Sequence, residues 1–173
     1  MTALLALEQV RVAGPHGDRL NAVTLKLQSG ERIALLGRSG AGKSSLIGVL
    51  NGSLPPADGR VLFKGMALAE LSRRQRARIG TLWQDLRLIE ELSIGQNVNA
   101  GALGRRRFPW ALANLLFRVS AESSRSCLRL AGVEESLLDN AGLDRPVGQL
   151  SGGQRQRVAL ARLFRQQPDL MLA

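Results

Sequence analysis

The chain has 173 residues and a mass of 18.7 kDa, room for one domain or one domain with a small lobe, and 45% hydrophobic residues, enough for a buried core. One Cys and one His exclude a disulfide scaffold, a thiolate zinc site and a histidine metal cluster. Lys and Arg number 24 against 14 Asp and Glu, a formal charge of +10 that favours anionic partners, while four Phe, two Trp and no Tyr leave little for stacking nucleic-acid bases.

The opening residues MTALLALEQV carry no basic segment and meet Glu8 before an apolar stretch can form, so no secretory leader is expected and the chain is placed in the cytosol. No run approaches the roughly 18 to 20 apolar residues of a membrane helix. Residues 4–12 and 22–27 read as strands, the second alternating Val23, Leu25 and Leu27 against Thr24 and Lys26, with a turn cluster between them. Residues 32–36 are apolar for both faces of a sheet and predict a buried parallel strand, which leads through a glycine-rich loop into a helix over 42–50.

After the loop NGSLPPADG, residues 60–63 predict a strand, 71–78 a basic helix and 79–83 another short strand. From 93 to 132 the pattern is mostly helical, with helices expected over 110–119 and 121–130 and a break at 104–109. A helical lobe at about 90–150, inserted in an α/β core, is the expected organisation of one domain over 1–173. A helix over 152–166 and a strand over 169–173 complete the chain, without internal repeats.

Two motifs carry chemistry. Gly37-Arg-Ser-Gly-Ala-Gly42-Lys43-Ser44 matches G-x-x-x-x-G-K-[ST] and falls between an expected strand and an expected helix. Glycines there let successive backbone N–H groups surround a β-phosphate, and the helix start adds its positive partial charge. Lys43 is then placed to bridge β- and γ-phosphates and the Ser44 hydroxyl to ligate Mg²⁺. The second motif is Leu150-Ser151-Gly152-Gly153-Gln154: a good N-cap, two glycines that leave backbone N–H groups bare, and a helix with an apolar Val158, Ala161, Phe164 stripe.

At these two motifs the chain resembles the nucleotide-binding subunits of ATP-binding-cassette (ABC) transporters, whose signature reads LSGGQ, and the motifs keep that family's order and spacing across nearly the whole chain. The resemblance implies an α/β P-loop NTPase core with an N-terminal antiparallel β-subdomain and an α-helical lobe. It implies ATP and Mg²⁺ as ligands, contacted by Gly37, Arg38, Ser39, Gly40, Ala41, Gly42, Lys43, Ser44 and Ser45, and by Ser151, Gly152, Gly153 and Gln154. In the family two subunits pair head to tail, so that Ser151 and the Gly153 backbone of one close on the γ-phosphate held by Lys43 of the other. Gln84, after the expected strand 79–83, matches the family glutamine that touches Mg²⁺ or the attacking water, so Ser44 and Gln84 are the implied metal contacts and Lys43 and Gln84 the implied catalytic ones. Partners implied are a second nucleotide-binding subunit, transmembrane permease subunits and, indirectly, a substrate-binding protein, at the cytoplasmic face of the membrane and without nucleic acid.

Residues 97–105 with Trp110 and Leu115-Leu116-Phe117 are similar to the helical lobe of phosphonate importer ATPases, which implies import of phosphonate or a related oxyanion. Three features depart from the family pattern. The turn where the family places an adenine-stacking aromatic offers only His16, which reads as a solvated loop residue. The Asp and Glu that follow the family's last strand are absent after Ala173, and so is the switch His. On that comparison the chain is expected to be the front part of a longer ATPase, lacking the C-terminal part of the cassette and not turning ATP over by itself.

The densest charges, Arg73-Arg74-Gln75-Arg76-Ala77-Arg78 and Arg105-Arg106-Arg107, read as solvated surface, with lipid headgroups or the transporter and then nucleic acid as alternatives. Cys127 reads as a small buried hydrophobe. The rival function classes are a soluble ABC-type ATPase acting on nucleic acid or ribosomes, which demands salt-sensitive nucleic-acid binding, and a non-hydrolysing ATP-binding fragment.

Overall fold

The structure, a computed structural model, describes residues 3–15, 17–117 and 119–173, so the position of His16 lies outside the described residues. The chain forms two compact units, Met1–Ser72 and Arg73–Ala173.

In the first unit, β1 (Leu5–Gly14) and β2 (Gly17–Leu27) form an antiparallel hairpin, and β3 (Asp58–Phe63) pairs antiparallel on the other edge of β1. A two-residue β4 (Met66–Ala67) extends the sheet to the order β2-β1-β3-β4. The register Leu27–Leu5–Phe63 aligns apolar side chains across three strands, and Leu5, Leu7, Val10, Val12, Val61 and Phe63 are buried. A bulge interrupts both ladders near Gln9, which takes a left-handed φ of 51°. Gly59 faces that bulge, and a Cβ there would lie 2.4 Å from the Gln9 carbonyl oxygen, so only glycine passes. The helix α1 (Lys43–Leu50) buries Leu46, Val49 and Leu50.

The stretch 32–36 is a correction to the sequence reading: it forms no strand, and Ile33 is 48% and Leu36 92% exposed. A strand apolar on both faces is stable only with ladders on both edges and cover on both faces. Among the described residues no strand pairs with it.

In the second unit, α2 (Arg73–Arg76) is only a single turn where a helix over 71–78 was expected. None of its residues is buried, and like charges at Arg73 and Arg76 repel across that turn. β5 (Ile79–Thr81) and β6 (Leu170–Leu172) pair in parallel, Ile79 against Leu170 and Thr81 against Leu172. Between them run α3 (Ile94–Ala100), α4 (Phe108–Leu116), α5 (Ala121–Leu130), α6 (Asn140–Asp144) and α7 (Gly152–Gln166). α4 starts two residues earlier than expected because Pro109, read as a breaker, sits in the first helical turn, where its missing N–H costs nothing.

The core of this unit gathers Ile94 and Val98 of α3, Leu128 of α5, Leu143 of α6, Val147, and Val158 and Ala161 of α7, none more than 1% exposed. Gly101 lets the end of α3 lie against α7, since a Cβ there would meet the Arg162 carbonyl oxygen at 2.1 Å. Both α3 and α7 begin with a complete capping box, Ser93 with Gln96 and Ser151 with Gln154, which satisfies backbone donors at each start.

Candidate functional site

The first group of site residues surrounds the start of α1. Gly40 and Gly42 take left-handed φ values of 83° and 84°, and the loop they shape ends directly in the helix. Gly42 is required twice over, by its φ and by space, because a Cβ would lie 2.5 Å from the Arg19 carbonyl oxygen. Lys43 arches back over the loop: its Nζ donates to the carbonyls of Gly37 at 2.7 Å and Arg38 at 2.8 Å. No side chain caps α1, so the backbone N–H groups of its first turn keep their positive end toward the loop. Arg38, Ser39, Gly40, Ala41 and Ser44 are exposed, while Lys43 and Ser45 are half-buried.

That arrangement suits an anion. An ammonium resting on loop carbonyls, an open helix start and loop glycines are the features a polyphosphate needs, and Ser44 offers a hydroxyl beside them. No group of three His, Cys, Asp or Glu side chains able to hold a metal exists among the described residues, so a cation here would need phosphate oxygens as further ligands.

The second group lies in the other unit. Ser151 caps α7 by accepting from the Gln154 N–H at 3.3 Å, and the Gln154 carboxamide accepts from the Ser151 N–H at 3.0 Å. Gly152 and Gly153 follow, both exposed, and a Cβ on either would meet nothing within 4 Å. Neither has a positive φ. Among the described residues nothing demands glycine at 152 or 153, and both are exposed.

Gln84 sits exposed in the turn after β5, beside Trp83, whose ring is covered by the Arg87 guanidinium at 3.5 Å from the centroid. Leu86 and Arg87 both adopt left-handed φ, 58° and 48°, an uncommon pair for non-glycine residues. Arg162 of α7 holds them there, donating from its two terminal nitrogens to the carbonyls of Leu86 and Arg87. Burial lowers the Arg162 pKa from its ordinary value, Asp85 opposing and Arg87 adding to the effect. Arg155, about two turns before it, donates to the Leu150 carbonyl, the Gly148 carbonyl and Glu90.

The second unit thus brings Gln84 and the Ser151 to Gln154 group under one helix. Sequence reasoning gave Arg155 and Arg162 no role of their own, and their signal was available: both arginines follow the glycines on a helix that also buries Val158, Ala159, Ala161 and Leu163.

The ABC transporter family model matches residues 20–173. The phosphonates import ATP-binding protein PhnC of Anaeromyxobacter dehalogenans (strain 2CP-C) is 42% identical over 158 residues, 89% of this chain and 30% of that protein. PhnC of Alcaligenes faecalis is 40% identical over 178 residues, 98% of this chain and 61% of that protein. The chain thus spans less than two thirds of the length of these relatives. Among solved structures, a bacterial Atm1-family ABC exporter with ATP bound matches at a TM-score of 0.79 and 26% identity, covering 98% of this chain and 28% of that one. The dimeric structure of MJ0796, a bacterial ABC transporter cassette, matches at 0.77 and 27% identity, covering 96% and 72%. The family model covers most of the chain, and the chain belongs to the ABC transporter family.

Proposed function

We propose that this chain is the ATP-binding, energy-coupling portion of an import ATPase for phosphonate or a related oxyanion. The observation that carries the nucleotide reading is Lys43, whose ammonium lies over the loop carbonyls of Gly37 and Arg38 at the open start of α1. When a triphosphate enters, Lys43 exchanges those carbonyls for β- and γ-phosphate oxygens, and the backbone donors of Gly40 to Ser45 turn onto the same group. The exposed Ser44 hydroxyl is the group beside the loop that would hold Mg²⁺, whose chemistry there is neutralisation of phosphate charge.

Ser151 and the bare backbone at Gly153 serve the other half of the site. They face outward because the phosphate they bind belongs to a second subunit paired head to tail. Gln84 orients water at the γ-phosphate. Permease subunits take up the movement, a substrate-binding protein acts through them, and the assembly works peripherally at the cytoplasmic face of the membrane. Likeness to two phosphonate import proteins at 40% and 42% identity supports the cargo class.

Titration with a fluorescent ATP analogue tests the nucleotide reading, with Lys43→Ala expected to weaken saturable binding about 10- to 150-fold. For the cargo, ATP hydrolysis by the complete protein with its permease in vesicles is expected to rise with phosphonate supplied on the binding-protein side. Equal stimulation by a sugar or an amino acid contradicts it.

A further inference from the structure

We propose that the cleft between α5 and the end of α7 binds a small organic oxyanion, with Arg165 as its countercharge and the neighbouring apolar side chains as the seat of its organic group. The cleft has a volume of about 610 Å³, a size that takes a small molecule. Ser123, Cys127, Arg165 and Gln167 supply the polar part of its lining, and Leu130, Phe164 and Met171 an apolar part. Leu130 is 75% and Met171 58% exposed, so the apolar part lies open.

The charge selects the ligand. Arg165 is 6% exposed, and its Nε donates to the neutral amide of Asn99 at 3.1 Å, while its Nη2 is buried with no partner among the described residues. Arg105 lies against it, donating from Nη2 to the Arg165 carbonyl at 2.7 Å and from Nη1 to the Gln167 carboxamide oxygen at 2.8 Å. The Nε of Arg105 is likewise buried and unpaired among the described residues. Two guanidinium groups therefore share one site without a carboxylate. α3 and α7 contain no Asp or Glu, and the acid of α5, Glu122, pairs instead with Arg125 and Arg129. Asp169, which follows the cleft residue Pro168, pairs with Arg78.

Burial lowers the pKa of both Arg165 and Arg105 from the ordinary value, and Arg106 adds to the effect at each. A buried cation without a counter-ion is costly, so an anion that enters the cleft is stabilised by the charge it neutralises. The planar fork of a guanidinium suits the oxygens of a phosphonate or a phosphate ester, and the open apolar side chains suit the organic group such an anion carries. The cleft shares no residue with the Lys43 loop or with Ser151 to Gln154.

Cys127 is the single cysteine of the chain, half-buried in this lining, so its alkylation reports occupancy of this site. The whole chain is treated with iodoacetamide at rising concentrations of phenylphosphonate or inorganic phosphate, in a buffer free of other oxyanions, with sodium chloride as the control for ionic strength. Saturable slowing of labelling is expected, at lower concentration for phenylphosphonate than for phosphate, because the phenyl group adds buried apolar area. Lys43→Ala should keep the effect, which separates it from nucleotide binding. Arg165→Met is expected to weaken the protection at least about tenfold. Ser123→Glu, at an exposed helical position, places a carboxylate in the cleft and should remove the protection while the helical circular dichroism stays that of the parent chain; it carries the test should Arg165→Met lose its fold.

Labelling that phenylphosphonate leaves unchanged, slowing matched by sodium chloride, full protection in the Ser123→Glu chain, or loss of protection in Lys43→Ala overturns the proposal. The second of these would assign the effect to the general +10 charge and the last to the P-loop. Equal potency of inorganic phosphate overturns the role given to Leu130, Phe164 and Met171. A failed ATP titration leaves the labelling result standing.

Discussion

Arg155 of the signature helix and Glu90 of the segment after Gln84 form an ion pair, Nη1 to Oε1 at 2.9 Å, while the other donors of Arg155 bond the Leu150 and Gly148 carbonyls. The start of α7 is thereby fastened to the stretch that carries the glutamine, in a planar fork that a lysine lacks.

Arg155→Ala is expected to cost about 2 to 3 kcal/mol in urea denaturation, because two carbonyls and a carboxylate lose a charged donor. Glu90→Gln, on a mostly exposed partner, should cost less than about 1 kcal/mol. Arg155→Lys should recover little. A Glu90→Gln loss as large as that of Arg155→Ala would place the stabilisation in the ion pair instead of the carbonyls.

Asn97 is 1% exposed and fully engaged: its Oδ1 accepts from the Ile89 N–H at 2.9 Å, and its Nδ2 donates toward the carbonyls of Ile89, Leu92 and Ser93. It closes the loop between Gln84 and α3 in place of regular structure. Asn97→Leu strands these groups, and a loss of about 2 to 4 kcal/mol is expected. Hydrogen exchange should show the Ile89 amide losing protection while the α7 amides keep theirs.

Gly42 and Gly153 test the same substitution in opposite settings. Gly42→Ala meets the Arg19 carbonyl at 2.5 Å with a φ of 84°, so a loss above about 2 kcal/mol is expected with loss of nucleotide binding. Gly153→Ala meets nothing within 4 Å and should be neutral, or stabilising by up to about 1 kcal/mol, in thermal unfolding. Under the proposed head-to-tail pairing its effect should appear instead in nucleotide-driven association of two copies, read by light scattering, because the methyl would cover backbone proposed to meet the second subunit's phosphate.

The Cys127 thiol is pushed up by burial, with Arg165 and Arg105 pulling the other way. The folded state therefore favours the protonated thiol. Its contribution to stability is present below the ordinary thiol range near about 8.5 and is lost as pH rises through the raised folded value. Iodoacetamide should label Cys127 more slowly than a free thiol at mildly alkaline pH. The stability gap between the parent chain and Cys127→Ala should narrow in the same direction, and a gap that widens on raising pH would reverse the sign.

Legibility along the chain followed the range of the interactions. The signature helix could be read to its observed bounds, Gly152–Gln166, because its capping box, glycines and apolar stripe are all local signals. The P-loop glycines and Lys43 were legible for the same reason, although the lysine's contact with the Gly37 and Arg38 carbonyls was not. Residues 32–36 misled because hydrophobicity announces what a strand needs from its neighbours, and no described strand supplies it. The inverted faces of α4, with Asn114 buried and Leu112 and Leu116 exposed, were hidden too, since composition alone assigns leucines to the inside and the asparagine to water. The fastening of the Gln84 turn by Arg155 and Arg162 spans 65 to 76 positions in sequence, beyond any local pattern.

The central claim is that Lys43 and the open start of α1 form a triphosphate site, and equilibrium titration of the chain with a fluorescent ATP analogue, in parallel with Lys43→Ala, tests it most directly. Saturable binding that unlabelled ATP displaces, weakened about 10- to 150-fold by the substitution with an unchanged circular dichroism spectrum, is the predicted result. Equal affinity of the two chains, or no displaceable binding by the parent, would contradict it.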